Sequence, residues 1–102
     1  MTNLLFVCTN NKHRSVTAAN MLCNVHETKS AGLSPTCENP VTRELVEWAD
    51  KVYCFEDRHR TKLRKRFRVR AGNLSVADEY DVNSEDLKKV LLHRFFDSGL
   101  VV

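Results

Sequence analysis

The sequence predicts an α/β three-layer sandwich, a four-stranded parallel sheet with helices on both faces. Three observations predict it. Short apolar or β-branched runs alternate with longer segments of helical apolar spacing, the pattern of parallel strands joined by right-handed crossovers. The first run, Leu4-Leu-Phe-Val7, is apolar at every position, as a central strand covered on both faces must be. Directly after it comes a polar turn, Cys8-Thr-Asn-Asn-Lys-His-Arg14-Ser15, which leads into a helical pattern.

Taken in order, Thr2 to Val7 is the first strand. From Ser15 to His26, Ala18, Met21, Leu22 and Val25 fall on one face of a helix. Lys29 to Ala31 is a short second strand ending at Gly32. Asn39-Pro40 supplies a cap and a first-turn proline for a second helix, in which Val41, Leu45, Trp48 and Ala49 make the apolar stripe. Lys51 to Phe55 is rich in strand formers, and Glu56-Asp57 caps a third helix, Arg58 to Phe67, that turns Leu63 and Phe67 to the core. Val69 to Val76 holds the fourth strand, with Gly72-Asn73 read as a turn. Asn83 or Ser84 caps the last helix, whose buried stripe is Leu87, Val90, Leu91 and Phe95 before Gly99 ends it. These elements suggest a flavodoxin-like sheet of strand order 2-1-3-4. In such sheets ligands bind beyond the carboxyl ends of the strands where the order reverses, which is where the Cys8 turn falls.

At 102 residues the chain is expected to be one domain, 1–102, long enough to bury one core. Apolar residues at 42% and charged residues at 28% exclude collagenous, low-complexity and disordered classes. Neither a signal peptide pattern nor an apolar run of membrane-spanning length is present, so a cytoplasmic protein with no membrane partner is expected. Cys8, Cys23, Cys37 and Cys54 lack the paired short spacing of a zinc site, so reduced thiols are expected, with no metal and no cofactor. Cys23 and Cys54 read as core residues.

The turn itself carries the chemistry. A tight loop entering a helix points successive backbone N–H groups inward, and the helix dipole adds positive potential there, which suits a tetrahedral oxyanion. Arg14 at the far rim is positioned to fork onto two phosphate oxygens. The same positive potential favours an anionic sulfur on Cys8, the nucleophile at the floor, and Ser15 is placed to donate a hydrogen bond to it.

Val7, Cys8, Asn11, Arg14 and Ser15 fall on the pattern Val-Cys-x-Gly-Asn-x-Cys-Arg-Ser-Pro, and in these residues the chain resembles the low-molecular-weight protein tyrosine phosphatases. Ser30-Ala-Gly32 is similar to the family's second-strand Ser-Ala-Gly, and Asp78-Glu-Tyr80 to the Asp-Pro-Tyr segment that carries its general acid. Asn10 replaces the loop glycine, His13 the second loop cysteine, Val16 a proline and Glu79 the proline after the acid, and the chain is shorter than the usual member. The resemblance implies a phosphatase that hydrolyses phosphotyrosine-type phosphomonoesters through a cysteinyl-phosphate, acting on phosphorylated protein. It implies Cys8, Arg14 and Asp78 as catalytic residues, with Asp81 the alternative acid. Thr9, Asn10, Asn11, Lys12, His13 and Ser15 line the cradle in this reading, Tyr80 flanks the substrate ring, and Ser30 supports the loop from behind. Asn11 tolerates left-handed backbone, and Asn10 in the glycine position needs the same tolerance.

Net charge is +3, but the distribution is uneven: Arg58 to Arg70 holds eight cations and no acid. This run suits an acidic partner beside the site. Only Phe67 interleaves it, so nucleic acid is not the expected ligand. Two other readings stay open. One is an arsenate reductase-like enzyme, for which Cys37 alone is suitably placed as a relay thiol. The other is a non-catalytic module that binds phosphate groups or nucleic acid.

Overall fold

The alternation of strands and helices is realised from Asn3 to Ser98. A computed structural model describes residues 2–100. Its elements are β1 (Asn3–Cys8), α1 (Arg14–Leu22), β2 (Glu27–Gly32), α2 (Arg43–Trp48), β3 (Lys51–Cys54), α3 (Asp57–Phe67), β4 (Ala71–Asn73) and α4 (Glu85–Ser98). The sheet is parallel throughout, in the expected order β2-β1-β3-β4.

Because β1 pairs on both sides, its side chains are covered on both faces, which is why Leu4 to Val7 are all apolar. Leu4, Phe6 and Cys8 face α1 and α4 and pack with Ala18, Leu22, Leu87, Leu91 and Phe95. Leu5 and Val7 face the other way, among Val52, Cys54 and Leu63, with Leu45 of α2 and Phe67 of α3 packed half-buried against them. The three layers follow from this alternation.

Register then aligns the carboxyl ends: Cys8 stands beside Gly32, Val7 beside Cys54, and Cys54 beside Asn73. The loop after β1 therefore opens at the point where the strand order reverses. Gly32 is required there by close approach. A Cβ on it would lie 2.6 Å from the Cys37 sulfur and 2.9 Å from the Thr9 carbonyl oxygen. The following amides clamp the start of the loop, Leu33 N–H donating to the Cys8 carbonyl (2.8 Å) and Ser34 N–H to that of Thr9 (2.9 Å).

Several sequence expectations need correction. α1 ends at Leu22, and Val25 is exposed, because the Val25 and His26 amides fold back onto the Leu22 carbonyl in a turn. α2 is capped by Thr42, whose hydroxyl accepts from Leu45 N–H at 3.2 Å. Asn39 instead spends its side-chain amide on the Ser30 carbonyl, and Pro40 bridges to Gly32. Gly72-Asn73 is no turn: both residues pair with β3, whereas Val69, Arg70 and Leu74 to Val76 lie outside the strand. Glu56 precedes α3 but makes no side-chain cap bond. Cys23 is exposed, not core. Among the described residues no helix is long and apolar enough to cross a membrane.

Candidate active site

The Cys8 sulfur lies at the end of β1, nearly enclosed, and two polar groups reach it. Asn11 N–H donates to it at 3.2 Å, and the Ser15 hydroxyl lies 3.0 Å away. Ser15 gives its proton to the Asn11 side-chain carbonyl at 2.9 Å, which ties the crown of the loop to the first turn of α1. Asn11 adopts φ 54°, the left-handed backbone its side chain tolerates. Asn10 does not, so the substitution at the glycine position introduces no strain of that kind.

Arg14 is not a rim residue. Only 2% of it is exposed, and its Nη1 donates to Glu56 Oε2 at 2.8 Å and to the Val76 carbonyl at 2.7 Å. These bonds hold one edge of the guanidinium and direct the rest towards a pocket of about 450 Å³ that Arg14 lines. Thr9, Asn10, Lys12 and His13 line the pocket on the loop side; Asp78, Glu79, Tyr80 and Asp81 line the other. Asp78 Oδ1 is 3.9 Å from Arg14 Nε and half exposed. The acidic loop is anchored to α1 at both ends, by Arg14 on Val76 and by Asn83 N–H donating to the buried Thr17 hydroxyl at 2.8 Å. Ser30 is not brought in: it sits opposite Phe6, away from the pocket lining, and its carbonyl is taken by Asn39.

Three residues that the sequence reading left as cap or helix positions complete the site. Glu56 bridges Arg14 and Arg58, whose Nε donates to Glu56 Oε1 at 2.8 Å. The hydrogen bond from Arg58, then the hydrogen bond and charge of Arg14, hold the Glu56 pKa down at about 2 against the opposing effect of burial. His59 is buried, its Nδ1 accepting from Phe55 N–H at 3.3 Å, so Nε2 carries the proton and donates to Thr9 Oγ1 at 2.9 Å. The available signal was topological: these residues follow β3, whose carboxyl end lies beside that of β1.

Burial pushes His59 from the ordinary 6.5 down to about 4, with the Arg14 charge adding to the effect and Glu56 opposing it. Between those values the unfolded chain binds a proton that the folded chain refuses, so stability is lost as pH falls from 6.5 towards 4. The loss expected from His59 is about 3 kcal/mol over that window. Urea unfolding at pH 7, 5.5 and 4 measures it, and His59→Gln should flatten the slope; an unchanged slope in the variant would refute the assignment. Glu56 acts in the same direction and by the same linkage, its lowered pKa removing stability as pH falls below about 4.5.

The remaining thiols are distributed unevenly. Cys37 lies against Gly32, next to the loop, while Cys54 is buried in the core with its pKa pushed up to about 11 by burial. Among the described residues no group of three or more His, Cys, Asp or Glu side chains is arranged to hold a metal ion.

The fold and this loop define a class: a parallel α/β sandwich with a cysteine and a buried arginine facing one pocket at the switch point of the sheet. No protein-family model and no curated protein matches the sequence. Solved structures match the fold over nearly the whole chain. YwlE arginine phosphatase from Geobacillus stearothermophilus superposes with a TM-score of 0.74 at 21% identity, over 96% of this chain and 92% of its own. A low molecular weight protein tyrosine phosphatase from T. tengcongensis gives 0.71 at 19% identity, over 96% and 99%. The tyrosine phosphatase Wzb from Escherichia coli K30, in complex with phosphate, gives 0.70 at 17% identity, over 97% and 95%. The chain therefore has the fold shared by low molecular weight protein tyrosine phosphatases and YwlE arginine phosphatase.

Proposed function

We propose that this protein is a phosphatase working through a cysteinyl-phosphate, with phosphorylated protein as substrate. The observation that carries the reading is the convergence of the Cys8 sulfur, the buried Arg14 guanidinium and the Asp78 carboxyl on one pocket at the end of β1. The phosphatase names of the structural neighbours support it.

In this mechanism the Cys8 thiolate attacks phosphorus in line, forming the S–P bond as the bond to the leaving group breaks. Arg14 and the loop amides stabilise the equatorial oxygens, and Glu56 and the Val76 carbonyl hold Arg14 oriented for that task. Asp78, protonated, gives its proton to the leaving atom. As carboxylate it then takes a proton from the water that attacks the S–P bond, releasing phosphate and restoring the thiolate. Thr9, Asn10, Asn11, Lys12, His13 and Ser15 form and surround the cradle.

Phosphotyrosine is the leading substrate, with Tyr80 flanking the phenyl ring. A second reading is favoured by the mouth itself: Asp78, Glu79 and Asp81 set three carboxylates around a single aromatic side chain, a balance suited to the cationic guanidinium of phosphoarginine. Hydrolysis of para-nitrophenyl phosphate, a phosphotyrosine peptide and a phosphoarginine peptide by wild type and Asp78→Asn tests both. Asp78→Asn should slow the preferred peptide about 10²- to 10⁴-fold. Unchanged turnover in that variant would transfer the acid role to Asp81, and no turnover of any substrate by wild type would leave the cradle as a binding site alone.

A further inference from the structure

The basic run Arg58 to Arg70 does not form one uniform patch. Arg58 bonds Glu56 and, at 3.3 Å, the hydroxyl of Thr9, which lines the catalytic pocket. Arg66 reaches the Leu33 carbonyl at 3.1 Å. Arg60, Arg64 and Arg70 instead border a separate cleft of about 370 Å³ between α3 and the start of β4, completed by Thr61, Val69 and Ala71.

The backbone builds this cleft. Arg60 and Arg64 are four residues apart on α3 and share a face. Arg68 ends the helix in left-handed conformation, φ 55°, its N–H on the Arg64 carbonyl at 2.9 Å, and so returns the chain to begin β4 with Arg70 on the far side of the cleft. Arg60 pairs with Asp57 at 3.3 Å. Arg64 and Arg70 make no ion pair among the described residues. Guanidinium forks grouped without a counter-charge match a phosphate group, which accepts from several at once.

We propose that this cleft is a second anion site, which holds a phosphorylated side chain of a protein substrate whose other phosphate occupies the Cys8 loop. The choice of partner rests on the phosphatase reading. Two observations favour a polypeptide over nucleic acid. β4 is an edge strand, paired only with β3, so its outer backbone groups are open to an extended peptide. No aromatic side chain lines the cleft to stack a base. The two sites are also linked. A shallow depression bounded by Asp57, Arg58, Asn73 and Ala77 shares Asp78 with the catalytic pocket, and Asp57 on its rim pairs with Arg60 of the cleft at 3.3 Å. Arg64 lies six residues beyond Arg58 on the helix, roughly 9 Å along its axis, a rise that about three extended residues cover; the Cys8 loop lies beyond Arg58, so the two phosphates need a spacing somewhat longer than about three.

The test titrates the Cys8→Ser chain with a peptide carrying two phosphorylated side chains four residues apart, and with its singly phosphorylated counterpart. The doubly phosphorylated peptide should bind at least tenfold more tightly, and Arg64→Gln/Arg70→Gln should abolish the difference while circular dichroism stays native. Equal affinities, or a difference that survives the double substitution, would overturn the proposal. So would a single-stranded oligonucleotide that binds through Arg64 and Arg70 more tightly than the peptide. Para-nitrophenyl phosphate turnover by the wild-type chain is read separately: turnover without the affinity difference removes the second site and leaves the phosphatase. Absence of turnover removes the phosphatase, and the titration then decides the cleft by itself.

Discussion

Cys8→Ser is expected to reduce phosphate-ester turnover by a factor on the order of 10⁴ or more while the fold stays intact. The sulfur stands at the floor of the pocket, accepts from the Asn11 amide at 3.2 Å and lies 3.0 Å from the Ser15 hydroxyl, which fixes its position for attack. A serine oxygen would meet the same Asn11 amide, but its proton is far harder to remove than a thiol's. Serine is also the smaller residue, so packing around β1 is disturbed little. Steady-state turnover of para-nitrophenyl phosphate measures the loss. Thermal unfolding with and without millimolar phosphate checks the cradle, since a ligand bound only by the folded state raises the midpoint. Retained turnover would remove Cys8 from the nucleophile's role; lost turnover with phosphate protection kept would establish a chemical defect, not a structural one.

Glu56→Gln should lower stability and turnover together, with a distinctive kinetic signature. Arg14 is nearly inaccessible to solvent, and the Glu56 carboxylate at 2.8 Å is its principal counter-charge. Glutamine preserves the shape and one acceptor but removes the charge, leaving a buried guanidinium under-compensated and Arg58 without its partner. Breaking a buried pair from one side destabilises by up to 3–5 kcal/mol; because Glu56 is partly accessible, about 2 kcal/mol is expected here. Loss of orientation at Arg14 should lower kcat about ten- to a hundredfold. KM should remain level or fall, since removing a carboxylate makes the pocket more attractive to a phosphate dianion. A raised KM with unchanged kcat would mean that Glu56 supports substrate binding and does not position the arginine.

Much of the fold was legible because its signals are local. The unbroken apolar run Leu4 to Val7 marks a central strand, the spacing of Leu87, Leu91 and Phe95 marks a helix face, and Ser84 and Gly99 mark its ends. The failures were local competitions decided by distant partners. Asn39 and Thr42 are both good helix caps, and Thr42 caps α2 because Pro40 is held beside Gly32 and the Asn39 side chain is drawn to Ser30. Gly72-Asn73 has the composition of a turn, yet pairing with Tyr53 and Cys54 makes it a strand. Val25 continues the apolar period of α1, but the chain has already turned at Leu22 to enter β2.

The sequence by itself determined the strand order, the placement of the Cys8 loop at the sheet's switch point, and the residue types within that loop. These depend on short-range spacing and on the handedness of crossovers, which a linear pattern contains. Only the tertiary structure decided what surrounds Arg14 and how the basic run divides. Glu56, Val76 and His59 lie 42, 62 and 50 positions from the loop residues they bond. Parallel register brings the ends of β1, β3 and β4 side by side, and that register is set by packing between strands distant in the chain. The left-handed turn at Arg68 likewise faces Arg70 towards Arg64 across a cleft, converting a row of charges into a site with a shape.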